Sequence, residues 1–110
     1  MTPGSIDLKI VADRLALVSE HIDELRALPA GSFAAFAADR RNPRAAEALL
    51  RRAIEALFDV ARHLLAKGWG LGALEYREAA RLCAQRSIVR DAVLADRMEQ
   101  IAGFRNRLTH

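Results

Sequence analysis

Cysteine is nearly absent from this chain of 110 residues: Cys83 stands alone. An internal disulfide is therefore excluded, and a reducing compartment is the simplest home. Proline occurs only three times and β-branched runs are missing, while alanine, the best helix former, is abundant. That combination favours helix. Aromatic residues make up only 5% of the chain, too few to support the base stacking used by sequence-reading RNA modules. No apolar run reaches membrane-spanning length and the N-terminus lacks a signal-peptide pattern. Both absences point to a soluble cytoplasmic protein with no membrane partner. His21, His63 and Cys83 show no zinc-type spacing, and neither a metal nor a cofactor is expected.

What is present is spread evenly. Hydrophobic residues make up 52% of the sequence, which argues against disorder, and the length fits one domain with one modest core. Arginine far outnumbers lysine and the formal net charge is +3, a mild basic bias compatible with nucleic acid. Ser5 reads as an N-cap, with Asp7 in the first turn. Leu8, Val11, Leu15, Val18, Ile22 and Leu25 follow at alternating steps of three and four, one helical face that runs to Pro29. Residues 32–38 read as a short extra turn carrying Phe33 and Phe36. Asn42-Pro43 looks like an N-cap followed by proline at the first helical position. From it runs a long helix with Leu50, Ile54, Leu57, Ala61 and Leu64 on one face, closed by the glycines of "KGWGLG" at 67–72. A third helix over about 74–85 offers Tyr76, Ala80 and Cys83 or Leu82 to the core. A fourth begins near Arg90-Asp91 with Leu94, Met98 and Ile101. No strand signal or internal repeat appears, so the pattern predicts an all-α fold, an antiparallel bundle of four to five helices.

The last stripe ends oddly. Continued at the same steps, it reaches Arg105 and then Leu108, so an arginine takes a seat reserved for a core residue. Removing a guanidinium from water is costly unless it is paired or faces a wet cleft. Either Arg105 snorkels out at the end of the bundle, or it faces a polar cavity or a subunit interface. His110 lies four residues after Asn106 and shares its face. Arg105, Asn106 and His110 can therefore converge, with a histidine able to move a proton near neutral pH while an arginine holds a phosphate. A two-fold axis through such a helix end would make a cationic cleft with two histidines.

A second constellation lies on the long helix, where Glu55, Asp59 and His63 recur at steps of four. They could be a solvated face of helix pairs. A carboxylate there could instead orient Arg105 or the histidine across the bundle, and a metal site is a third, weaker reading. Arg40, Arg41, Arg44, Arg51 and Arg52 form a charge run of the kind that usually faces solvent. It could also track an RNA backbone or meet an acidic partner.

"GFRNRLTH", residues 103–110, resembles the Arg-x4-His signature of HEPN domains, with the HepT-like toxin branch nearest. "LEYREAARLC", "AIEALFDVARHLL" and the order of helices resemble the same family, over essentially the whole of 1–110 as a single HEPN-like domain. The resemblance implies a helical homodimer with the motif lining a cleft between subunits, and metal-independent cleavage of RNA in which the 2′-hydroxyl attacks the adjacent phosphate. It implies His110 as general acid or base, Arg105 as the stabiliser of charge on the phosphate, and Asn106 as a positioning group. It also implies a minimal nucleotidyltransferase antitoxin that adenylylates a tyrosine two residues past the histidine, in a tail expected beyond His110. Tyr76 does not match that tyrosine.

Three functions follow as candidates. The chain is a toxin ribonuclease, a catalytically silent HEPN module that binds RNA or nucleotide and partners a nucleotidyltransferase, or a structural helical dimer whose arginine and histidine only close the bundle.

Overall fold

A computed structural model describes residues 4–72 and 74–108. It contains five helices and, among the described residues, no strand: α1 (Leu8–Arg26), α2 (Phe33–Ala38), α3 (Arg41–Trp69), α4 (Tyr76–Gln85) and α5 (Ala92–Leu108). The all-α bundle expected from the sequence is the fold observed. No helix among the described residues is long and apolar enough to cross a membrane.

Local chemistry sets the helix ends. Asp7, not Ser5, caps α1: its carboxylate accepts the N–H groups of Lys9 and Ile10. A carboxylate at that position both satisfies orphan donors and complements the helix dipole. Ser32 caps α2 by accepting from the Ala35 N–H. Asn42 does not cap α3, which already begins at Arg41. Its side-chain amide donates back to the Phe36 carbonyl at 3.1 Å, and Asp39 accepts the Arg41 N–H. Pro43 sits harmlessly in the first turn, where no intrahelical donor is needed. At the other end Gly70 adopts φ 71° in the left-handed region, and Leu71 N–H returns to the Leu65 carbonyl. That is the glycine stop the sequence predicts. Helix α4 closes similarly, with Ile88 N–H on the Cys83 carbonyl, but there Ser87 takes the positive φ of 59°. Asp91 accepts from Val93 and Leu94 N–H and starts α5.

Helix α3 organises the rest, packing against each of the other four helices. Its buried residues fall into two stripes. Ile54, Phe58, Ala61 and Leu65 join Ala79, Ala80 and Cys83 of α4 and Met98 and Ala102 of α5 in the core. Leu49, Ala53, Ala56 and Val60 are buried outside that cluster, on the side taken by α1. Helix α1 packs on α3 alone and antiparallel to it: Gly4 N–H meets the Lys67 carbonyl, Asp7 N–H meets His63, and Arg14 approaches Asp59. The molecule is accordingly elongated, 51 × 26 × 26 Å.

The predicted stripes shift in two places. On α3, Leu50, Leu57 and Leu64 are only half-buried, and the deepest seats belong to Phe58 and Leu65 with small alanines between. Alanines let α4 and α5 approach closely, so the buried line runs one residue away from the line of leucines. On α5, Leu94 is 55% exposed, and Ala102 takes the buried seat instead. Leu8 and Leu15 on α1 are also exposed, because one neighbouring helix cannot cover the whole stripe. Cys83 is fully buried, and burial pushes its thiol above the ordinary value, which disfavours thiolate chemistry.

Candidate functional site

Met98, Ala102 and Arg105 follow one another at steps of four and three on the inward side of α5, so the fold that buries the first two also turns Arg105 towards α3 and α4. It does not snorkel. Its side chain is 22% exposed, and Nη2 lies 3.4 Å from Oε1 of Glu55 on α3. Its guanidinium carbon lies 4.3 Å from the ring centroid of Tyr76, the first residue of α4. Tyr76 is in turn set by Phe58, which meets it edge-on at 5.0 Å and is itself fully buried. The core therefore holds the ring and the ring holds the arginine. A cation over an aromatic face is worth about 0.5–2 kcal/mol depending on desolvation. A half-exposed carboxylate adds less than about 1 kcal/mol.

Arg62 shares the site. Its guanidinium carbon also lies 4.3 Å from the Tyr76 centroid. The Nε atoms of both arginines are buried and have no hydrogen-bond acceptor among the described residues. The sequence pattern did not single out Arg62. The signal was present: Glu55, Phe58 and Arg62 are spaced by three and four, so the carboxylate, the supporting ring and the second cation share one side of α3.

Asn106 lies on another side of α5. It is exposed and lines an open groove of about 640 Å³ with Arg77, Glu99, Gln100, Gly103 and Arg107. Gly103 lets Arg77 lie against the α5 backbone, since a Cβ there would come within 2.8 Å of the Arg77 Nη2. Thus Arg105 faces the α3–α4 side while Asn106 faces the groove. His110, the third residue expected at this end, lies outside the described residues.

The Glu55–Asp59–His63 column divides into three separate contacts. Glu55 meets Arg105, Asp59 approaches Arg14 at 3.8 Å, and Nε2 of His63 accepts the Asp7 N–H at 2.9 Å. Of the readings open from the sequence, Glu55 takes the one in which a carboxylate reaches across the bundle to Arg105. The other two fasten α1 to α3. No group of three or more His, Cys, Asp or Glu among the described residues could hold a metal ion. In the basic run, Arg40, Arg41, Arg44 and Arg52 are exposed and Arg51 is half-buried. Arg41 forks onto Asp39, with Nη2 at 2.7 Å. Those hydrogen bonds hold the Asp39 carboxyl down to about 2.

Among family models, one described as HepT-like, "Ribonuclease HepT-like", matches residues 18–110. That span takes in the C-terminal part of α1, all of α2–α5 and the whole of "GFRNRLTH". Among curated proteins, none matches the chain.

Proposed function

The chain belongs to the HepT-like ribonuclease family, and on that premise we propose that it is the RNA endonuclease toxin of a toxin–antitoxin pair, silenced by a minimal nucleotidyltransferase. The observation that supports Arg105 as its working cation is the way that side chain is held. It is drawn from solvent onto Tyr76, and Glu55 touches it through a single Nη2 contact. A guanidinium fixed in orientation, with donors to spare, is suited to a phosphate whose charge grows during reaction.

In the proposed reaction the 2′-hydroxyl of RNA attacks the neighbouring phosphorus. The O2′–P bond forms as the P–O5′ bond breaks, leaving a 2′,3′-cyclic phosphate and a 5′-hydroxyl. A base removes the 2′ proton and an acid protonates the 5′ oxygen; His110 serves as acid or base, and no metal takes part. Arg105 stabilises the phosphorane oxygens, and Asn106 positions the phosphate or the histidine. The cleft is proposed to lie between two copies. Val93, Leu94 and Phe104 leave large apolar side chains exposed along α5, 61%, 55% and 38% respectively, and exposed apolar surface along a helix offers a place for a partner. Sedimentation at micromolar concentration tests this, and a monomer overturns it.

The deciding assay is cleavage of single-stranded RNA by purified protein in EDTA, comparing wild type with His110→Ala. Cleavage by the wild type and its loss in the variant is the expected result. Binding without cleavage would make the chain a silent RNA-binding module.

A further inference from the structure

Arg62 is a charged side chain that neither the fold nor the proposed chemistry employs. Its guanidinium and that of Arg105 each lie 4.3 Å from the centroid of the same tyrosine ring, so they are separated by no more than twice that distance. Two cations this close in a partly desolvated setting repel each other. Among the described residues the one carboxylate in contact, Glu55, engages Arg105 and not Arg62. Its contact at 3.4 Å is longer than the roughly 2.8 Å of a good charge-assisted hydrogen bond. Both Nε donors are buried without an acceptor among the described residues, a costly arrangement in which to leave charged donors. Two other arginines of the chain differ. Arg41 is neutralised by a fork onto Asp39, and Arg14 faces Asp59.

A tetrahedral oxyanion would answer the unbalanced charge. It supplies the missing negative charge and matches the planar fork of arginine, meeting the Nη edges because both Nε atoms are buried. We propose that Arg62 and Arg105, seated together on Tyr76, form a two-arginine phosphate site in which each guanidinium takes one non-bridging oxygen of the same RNA phosphodiester. The identity of that ligand as RNA rests on the ribonuclease reading; the affinity for phosphate does not. In this arrangement Arg62 binds substrate directly, Tyr76 is a positioning residue, and Glu55 competes with the phosphate for Arg105.

The test uses the full chain and follows the arginine Nε–H signals by NMR. The probes are inorganic phosphate and then a 2′-O-methyl oligoribonucleotide, which cannot be cleaved. The Arg62 and Arg105 signals should move together along one binding curve, while Arg41, tied to Asp39, stays in place. Arg62→Gln should weaken oligonucleotide binding about tenfold or more, the effect of losing a hydrogen bond to a charged group. In cleavage it should raise KM more than it lowers kcat, and Arg62→Lys should recover part of the loss. Glu55→Gln should tighten phosphate binding. If the Arg105 signal moves and that of Arg62 does not, Arg62 is only packed against Tyr76 and the proposal fails. It also fails if neither moves. If both move but the wild type cleaves no RNA, the phosphate site stands and the ribonuclease reading falls.

Discussion

Helices α1 and α5 both carry apolar side chains at helical spacing, yet their fates differ. Helix α1 buries no residue, whereas α5 buries Met98 and Ala102. Spacing does not explain this, because the α1 stripe is the more regular of the two. Neighbours do. Helix α5 lies against both α3 and α4, and α1 against α3 alone. The residues that meet α5 are also small or compact, with Ala79, Ala80 and Cys83 at under 2% exposure, so the backbones approach closely. Burial is thus a property of the surroundings a helix finds, and the arginine proposed to act on RNA is carried by the helix with the better surroundings.

The sharpest way to break this contrast is to cut the core on each side. Phe58→Ala should cost about 3–5 kcal/mol in urea unfolding and free Tyr76 as well. Leu15→Ala, on a residue already 44% exposed, should cost under about 1 kcal/mol. Equal costs would mean that both sides are equally packed. A Leu15→Ala cost that grows with protein concentration would place a second copy over α1.

Next comes the chemistry proposed for α5. Arg105→Lys keeps the charge but loses the planar fork, and RNA cleavage should fall by about 10²–10³. RNA binding should fall less, since the lost contact matters most in the transition state. Normal cleavage by this variant would separate the best-packed helix from the chemistry.

Smaller effects arise at the two left-handed helix ends, one on each side of the α4 start. Gly70→Ala should destabilise by about 1–2 kcal/mol, because a Cβ at φ 71° clashes with the following carbonyl. Ser87→Gly should stabilise by roughly 0.5–1 kcal/mol, relief of the same clash being partly offset by chain entropy. Thermal melts measure both, and opposite signs are the expected outcome.

The smallest effect is electrostatic and lies on the α2–α3 side. The folded Asp39 carboxyl titrates at about 2, held down by its hydrogen bonds to Arg41, against about 3.9 for an unfolded aspartate. Its contribution is therefore present in full above the unfolded value and is lost as pH falls through about 2. Because the pair is exposed, solvent screens it heavily. Asp39→Asn should lower stability slightly at pH 7, where the contribution is present in full, and flatten the acid limb by the same small amount, as melts across pH 2–7 would record.

Features set by nearest neighbours along the chain were legible in the sequence: the helical class, the short turn over 32–38, the stop among the glycines of 67–72, the start near Asp91. Misreadings came where two local candidates competed or where a partner helix decided. Ser5 and Asp7 could each cap α1, and the one with the carboxylate and a backbone tie to His63 prevails. The α3 core line follows Phe58 and Leu65 and not Leu57 and Leu64, because alanine contacts with α4 and α5 select it. The anomaly of Arg105 was visible as a charge in an apolar register. Glu55 was visible as one possible tether. Arg62 was not, since its significance comes from Tyr76, which belongs to a different helix.

Among the described residues, the side chains that hold Arg105 precede it in the chain. Glu55 comes 50 residues earlier, and Phe58 and Tyr76 follow Glu55 in order. A ribosome delivers them in that sequence, so the tethers emerge first and wait for a guanidinium that comes last. While α5 is still in the exit tunnel, the carboxylate and the ring have nothing to hold. Under the role proposed for Arg105, a partly made chain carries no complete site, and the site closes only once the message has been read through α5.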